Sequence, residues 1–350
     1  MGMQLIGRLI EKLQRHPRRI VFAEGSEPRV LQAARQFHCL RLGAPILLGK
    51  RSEIEKRAAE LKIPLDHIRL INPEESEDLD KFAHALHLNH QSRGMKLAEA
   101  RETMLNPNYF GAMMVAMRQA DGIVTGATQP TTVVLRAVLQ AIRLGKCFST
   151  AVGCTVLELE NAAIGESGVL VLADCAVVPE PTMEQLADAA VAAAQFARQL
   201  FGFKPRVALL SYATRCRALP PAIGKVHAAI ALAQRKAKKL GVEADFDGEM
   251  QIDTALVPEV AGVKMPKSKV AGRANVLIFP CLAAADIAGK ALRHIARARA
   301  YGHILLGLDR PAADVSRGAN SRDILGVAAL VGVQSVAYRD LYPDTGEPSQ

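Results

Sequence analysis

Near the end of the chain, "DVSRGANSRDI" (residues 314–324) sets Ser316 beside Arg317, then Gly318, then Asp323. A hydroxyl, a fixed cation and a carboxylate in one short segment can donate a hydrogen bond to developing charge, hold a phosphoryl group and take up a proton. The same residues also read as a helix start. Asn320 as N-cap with Asp323 at N3 is a variant of the capping box, and an acidic group suits the first turn of a helix. The cap does not account for Ser316 and Arg317 upstream of it.

Three other stretches carry chemistry-bearing side chains. "TGATQPTTVVLRA" (125–137) is a Gly/Thr turn between a strand and a helix, where free backbone N–H groups and hydroxyls make an anion cradle. Thr132 and Arg136 are four apart and share a helix face, so they could grip a phosphate; a plain strand–helix connection with a solvated arginine fits equally well. In "DFDGEMQIDTALVPEV", Asp247, Glu249, Gln251 and Asp253 alternate. On an extended segment they face one way and could hold Mg²⁺, unless they pair with basic neighbours. "GKALRHIARARA" places Lys290, Arg293, His294, Arg297 and Arg299 on one expected helix, with Arg293 and Arg297 aligned. Such a face could meet ligand phosphates, although a charge run is more often simply solvated.

The elements that must position these groups alternate between two patterns. Short β-rich runs ("RIVFA", "RVALLSY", "NVLIF") are separated by long Ala/Leu-rich helical stretches, which predicts an α/β fold with largely parallel, buried strands. An amphipathic helix opens the chain. A first strand "RIVFAEG" follows, then a helix that Ser26 could cap with Pro28 in its first turn. "APILLG" and "DGIVTGAT" read as further strands, and "TTVVLRAVLQAIRLG" as a helix stopped by Gly145. From about Cys147 the alternation restarts, which suggests a second α/β unit beginning near residue 150. "AADIAGKALRHIARARA" reads as one helix, "GHILLGL" as a strand and "RDILGVAALVGVQSVAYRDL" as the last helix; "YPDTGEPSQ" reads as a frayed end.

Composition narrows the function classes. At 350 residues with 49% apolar and 23% charged residues, the chain can bury sizeable cores. Lys plus Arg is 44 against 35 Asp plus Glu, a formal charge of +9. That suits polyphosphorylated small molecules. Absent Trp, an aromatic content of only 4% and the lack of a dense basic block argue against nucleic acid. No apolar run reaches the ~18 residues of a membrane span, and no signal-peptide pattern or myristoylation motif opens the sequence. The six cysteines form no CxxC pair and no zinc spacing, so reduced, buried thiols in a cytoplasmic protein are the simplest reading.

Taken in order, "RIVFAEG", "YFGAMMV", "ADGIVTGAT" with "LRAVLQ", "LVLADCAVVPEP", "QLAD", "RVALLSY", "DGEMQIDTALVPEV", "KVAGRANVLIFP" and "SRGANSRDI" resemble the phosphate acetyltransferase/phosphate butyryltransferase family from about residue 18 to residue 336. The resemblance implies two α/β domains, isocitrate/isopropylmalate dehydrogenase-like, with the active site in the interdomain cleft. The first would be discontinuous, 1–148 plus 309–350, and the second inserted, 149–308. It implies a cytoplasmic homodimer of acetate metabolism acting on acyl-CoA, phosphate and acyl phosphate. Coenzyme A would be a substrate; no metal and no permanently bound cofactor is implied, and neither a nucleic-acid nor a membrane partner. Residue by residue, Ser316, Arg317 and Asp323 match the family's catalytic Ser-Arg and Asp. Arg136 matches an arginine that helps hold phosphate or CoA. Thr128, Thr131 and Thr132 fall in its small-hydroxyl substrate loop, and Arg293 or His294 near a further substrate-binding arginine. Asp323 would then take the CoA thiol proton, Arg317 would stabilise departing phosphate and Ser316 would donate to the reacting acyl phosphate. A helix N-terminus stabilises negative charge and weakens a carboxylate as a base, so Arg317 would also have to favour the thiolate.

The chain departs from the family around these residues. The Gly/Ser-rich loop after "SYST" reads "SYATRCRALPPA", with Arg215, Arg217, Pro220 and Pro221, which is stiffer and more basic. "FPDLN" reads "FPCLA", with Cys281 and Ala283, and a following Asn is Asp286. Two substrate-binding arginines align with His90 and His294, where Arg93 and Arg293 could stand in. The alternative to a working acyltransferase is therefore a catalytically weakened or inactive CoA- or acyl-phosphate-binding regulatory homologue. A dehydrogenase is disfavoured because no GxGxxG is present.

Overall fold

The structure is a computed structural model that describes residues 4–218 and 220–341, and their side chains as far as residue 336. The readings of the first three residues and of the "YPDTGEPSQ" tail lie outside the described residues. Contacts divide the chain into two compact units: one runs to Arg143 and resumes at Leu308, and the other is Leu144–Gly307.

The first unit comprises α1 (Gln4–Arg15), β1 (Arg18–Phe22), α2 (Pro28–Cys39), β2 (Gly43–Leu48), α3 (Arg51–Glu60), β3 (Arg69–Ile71), α4 (Leu79–His90), α5 (Leu97–Met104), α6 (Pro107–Ala116), β4 (Gly122–Thr125) and α7 (Thr131–Ala141). Its sheet runs β3-β2-β1-β4, every pair parallel, which is why each strand is followed by helical crossovers. The second unit holds β5 (Val152–Glu158), β6 (Val169–Ala173), α8 (Met183–Phe201), β7 (Arg206–Leu210), α9 (Pro221–Lys239), β8 (Asp245–Met250), α10 (Ile252–Leu256), α11 (Pro258–Lys264), β9 (Val276–Ile278), α12 (Leu282–His294) and β10 (Arg299–Leu306). The chain then returns to the first unit with β11 (Ala312–Asp314) and α13 (Ser321–Leu341). β11 adds parallel to β4, pairing Asp314 with Thr125.

The core of the first unit forms where apolar faces of the helices meet the sheet. Val30, Leu31 and Phe37 of α2 and Ile324, Leu330 and Val331 of α13 are buried with Ile20, Val21 and Phe22 of β1. Each such side chain contributes about 1.5–3 kcal/mol by leaving water. α13 also packs on α1, where Gly332 lets Leu13 approach closely. In the second unit α8 starts with a reciprocal capping box between Thr182 and Gln185 and stops at Gly202 in the left-handed conformation.

Several expectations needed correction. The N-cap of α2 is Glu27, not Ser26, and no side chain caps that end; Pro28 does open the helix. α7 ends at Ala141 because Ile142 turns extended, so Gly145 is not its stop. Parallel pairing fails at β5, which is antiparallel to both β6 and β10. No helix separates β5 from β6, so the chain doubles back through Gly165 and Gly168, both at positive φ. The basic helix is shorter than expected: α12 ends at His294 and Arg297 takes φ +52°. From Arg299 the chain pairs with β5, so Arg297 and Arg299 do not lie on the helix. Strand pairing there overrides an Ala/Arg-rich helix pattern. The thiols are all unpaired, but only Cys154 and Cys175 are buried; Cys39 and Cys147 are exposed.

Candidate active site

Parallel strands in register bring the loops after them to the same edge of a sheet. Thr125 ends β4 opposite Asp314, which ends β11, and the Val315 N–H donates to the Thr125 carbonyl at 2.7 Å. The Gly/Thr turn (Gly126–Thr131) and the Ser316–Arg317 turn therefore leave adjacent strand ends together. Gly126 sits at φ +102°, and a Cβ there would run into Asp314 Oδ1 and come within 2.7 Å of the Val315 carbonyl oxygen. Only glycine lets the two turns lie this close.

In the second turn Ser316 and Arg317 are exposed. The Ser316 carbonyl accepts from the Ala319 N–H at 2.8 Å and its Oγ from the Gly318 N–H at 3.2 Å. The turn then becomes a reciprocal cap. Asn320 Oδ1 accepts from the N–H groups of Arg322 and Asp323, both at 2.9 Å, and Asp323 Oδ2 accepts from the Asn320 N–H at 3.1 Å. The helix-start reading is thus correct, and Asp323 is only partly buried. In the first turn Thr128 is exposed and donates both its N–H (2.8 Å) and its hydroxyl (2.7 Å) to Glu24 Oε1. Thr131 is partly buried, while Thr132 and Arg136 are exposed on α7. Burial raises the Tyr109 phenol, and the nearby Arg136 cation opposes that rise. A cavity of about 470 Å³ lies at the carboxyl ends of β1 and β2; of these groups Glu24 and Thr128 line it, together with Ser26, Lys50 and Pro107.

Arg293 and His294 belong to the second unit, at the C-terminal end of α12, with Arg293 partly buried and His294 exposed. His90 is buried in the first unit, with Nε2 at 2.8 Å from the Gln140 carbonyl oxygen, so it is committed to packing. Arg93 is exposed.

The acidic alternation does not survive folding. β8 stops at Met250 and α10 begins at Ile252, so Asp253 leaves the strand face. Asp247 accepts from Arg215 and Ser268, Asp253 from Lys264, and buried Glu249 holds His227 Nδ1 at 2.9 Å and the Cys216 N–H at 2.9 Å. Burial alone would raise the Glu249 carboxyl; hydrogen bonds from its own N–H, from His227 and from Cys216 outweigh that and hold it below the usual range. Among the described residues no three His, Cys, Asp or Glu side chains gather as a metal site. Arg215 and the Cys216 N–H are thereby tied to β8, and Asp286 pairs with Lys290 one turn along α12.

Four residues of the first unit escaped the sequence reading. Glu24 also accepts from the Ala127 N–H at 2.7 Å. Arg29 donates to carbonyls in both turns. Asn108 accepts from the Thr125 hydroxyl at 2.6 Å in the core. Asp314 is fully buried; Thr131 is near enough to lower its pKa, yet neither carboxyl oxygen has a partner at hydrogen-bond geometry. Glu24 and Arg29 fall within "AEGSEPR", next to the first strand's end, and that position was the only available signal.

Hydroxyls and cations gathered at the carboxyl ends of parallel strands place the candidate site where α/β proteins commonly bind ligands. Comparison with known proteins narrows the class. Residues 4–331 match the family described as phosphate acetyl/butaryl transferase, and the chain belongs to it. It is 40% identical to a phosphate acetyltransferase of Thermoanaerobacterium thermosaccharolyticum over 333 residues, 95% of this chain and 100% of that protein. It is 38% identical to one from Acetivibrio thermocellus, covering 95% and 98%. Among solved structures it is similar to a phosphotransacetylase from Streptococcus pyogenes, with TM-score 0.87, 34% identity and coverage of 96% and 99%.

Proposed function

We propose that this chain transfers an acetyl or short acyl group between CoA and inorganic phosphate, acyl-CoA plus phosphate giving acyl phosphate plus CoA. The observation that carries the reading is the pairing of the Gly/Thr turn with the Ser316–Arg317 turn at aligned strand ends, in a chain of this family. In the direction of acyl-CoA synthesis, Asp323 takes the CoA thiol proton and the thiolate sulfur attacks the acyl carbonyl. The bond to the phosphate oxygen breaks, and phosphate leaves with the electron pair. A free thiol of pKa about 8.5 is only a few per cent ionised at pH 7, so a positioned base is worth about 10²–10⁴ in rate. Arg317 presents a planar fork to the departing phosphate, and Ser316 donates to charge developing at the acyl phosphate. Thr131, Thr132 and Arg136 bind substrate anions, and Thr128, whose N–H and hydroxyl are held by Glu24, shapes the turn beside them.

The reading extends to the dehydrogenase-like two-domain arrangement with a cleft site, to which Arg293 and His294 would contribute, and to a cytoplasmic homodimer. The family resemblance supports these parts. The test is release of free thiol from acetyl-, propionyl- and butyryl-CoA in the presence of phosphate. Turnover that is lost in Asp323→Ala supports the reading; CoA binding without turnover on any acyl chain overturns it.

A further inference from the structure

The connection between β1 and α2 carries two charged side chains whose partners lie far away in sequence. Glu24 accepts from the Ala127 N–H, the Thr128 N–H and the Thr128 hydroxyl. Arg29 spreads its guanidinium over three backbone carbonyls. Nη1 donates to Arg317 O at 2.7 Å and to Ala319 O at 2.8 Å, and Nη2 donates to Ala127 O at 2.9 Å. Its Nε is held by Glu27 Oε1 at 2.6 Å, which fixes the plane of the fork and balances its charge. Both backbone polar groups of Ala127 are thus gripped from one segment, and the same cation holds the carbonyls on either side of Gly318.

We propose that Arg29 is a positioning residue: it locks the backbone of the Ser316–Arg317 turn to that of the Gly126–Thr128 turn, so that Ser316 and Arg317 are held in a fixed place at the strand ends. Its three acceptors belong to the residue before Thr128, to Arg317 itself and to the residue before the Asn320 cap. A planar fork with five donors can serve three separated carbonyls and a carboxylate at once, whereas the compact ammonium of a lysine cannot. The kinetic consequence rests on the acyl-transfer reading; the mechanical one rests on the geometry alone.

Arg29→Ala and Arg29→Lys would be compared with the full-length wild type by hydrogen exchange and by acetyl-CoA/phosphate kinetics. In Arg29→Ala, peptides spanning 125–130 and 314–320 should both exchange faster, by about tenfold, while the β1 and α8 peptides keep their rates. Turnover should fall about 10²-fold, the cost of a misplacement of about 1 Å, with the KM for CoA little changed. Methylguanidinium should partly restore turnover to Arg29→Ala. The lysine variant should remain close to the alanine one. Unchanged exchange in either peptide, or turnover like that of the wild type, would overturn the proposal. If the wild type itself releases no thiol, the acyl-transfer reading fails, and the exchange result still decides whether Arg29 couples the two turns.

Discussion

Asp314→Asn should make the protein less sensitive to alkaline pH. The Asp314 side chain is completely buried at the end of β11, beneath the Gly126 turn, and neither oxygen has a hydrogen-bond partner. Burial pushes its pKa up from 3.8 to about 7; the Thr131 hydroxyl pulls the other way and the Glu24 carboxylate adds to the rise. In the unfolded chain the group ionises near pH 4. Between about pH 4 and 7 the folded state therefore holds a proton that the unfolded state has released. The stability this gives is complete below the unfolded value and is lost as pH rises through the folded one. At about 1.4 kcal/mol per unit, the whole effect is about 4 kcal/mol, and the part between pH 5 and pH 8 about 3 kcal/mol. Asparagine keeps the shape of the neutral acid but does not titrate. It leaves an unpartnered amide, costing about 1–3 kcal/mol at pH 5. At pH 8 that deficit should shrink or reverse. Because the chain lacks Trp, urea unfolding followed by far-UV circular dichroism at pH 5 and pH 8 is the suitable assay. A constant difference between the two proteins at both pH values would refute the reasoning.

Three further outcomes follow from local geometry. Gly126→Ala would force a Cβ into Asp314 Oδ1 from a backbone at φ +102°, so thiol-release activity should be lost along with stability; normal turnover would rule out the close approach of the two turns. Asn320→Ala removes the cap of α13 and should cost about 1 kcal/mol in a urea titration, whereas Asp323→Asn should lower turnover by about 10² or more for a smaller change in stability. His227→Ala removes one partner of the buried Glu249 carboxylate and should cost about 1–3 kcal/mol at neutral pH, read from the unfolding midpoint; an unchanged midpoint would mean that solvent replaces the imidazole.

The elements legible in the sequence were those whose local signals agreed with their tertiary setting. The run from Ile20 to Ala23 is apolar, bounded by a turn, and lies between two parallel neighbours, so pattern and burial point the same way. Misreadings arose where a distant partner decided the conformation. "RARA" has helix-forming residues, yet Arg299 and Ala300 lie opposite Glu158 and Leu157 of β5. Asp253 continues an alternation on paper, yet it sits in the first turn of α10 and pairs with Lys264. β11 is only three residues long and carries no pattern of its own; it exists because β4 offers it an edge.

The site divides along the same line. Ser316, Arg317, Asp323 and the threonines could be singled out because their types announce chemistry within a short window. Glu24 and Arg29 could not, because what they do is set by partners about a hundred and nearly three hundred positions away. In sequence Arg29 is one more basic residue in a helix's first turn, where the helix dipole would even disfavour it. Its presence there makes sense only once the carbonyls of Ala127, Arg317 and Ala319 surround it and Glu27 offsets its charge. Asp314 shows the same logic in reverse. As the first letter of "DVSRG" it carries no signal of its own, and folding buries it with neither oxygen at hydrogen-bond geometry to a partner. The residues that touch a substrate are chosen for what their side chains are, and a sequence displays that directly. The residues that hold them in place are chosen for where the chain's distant segments meet, which only the fold supplies.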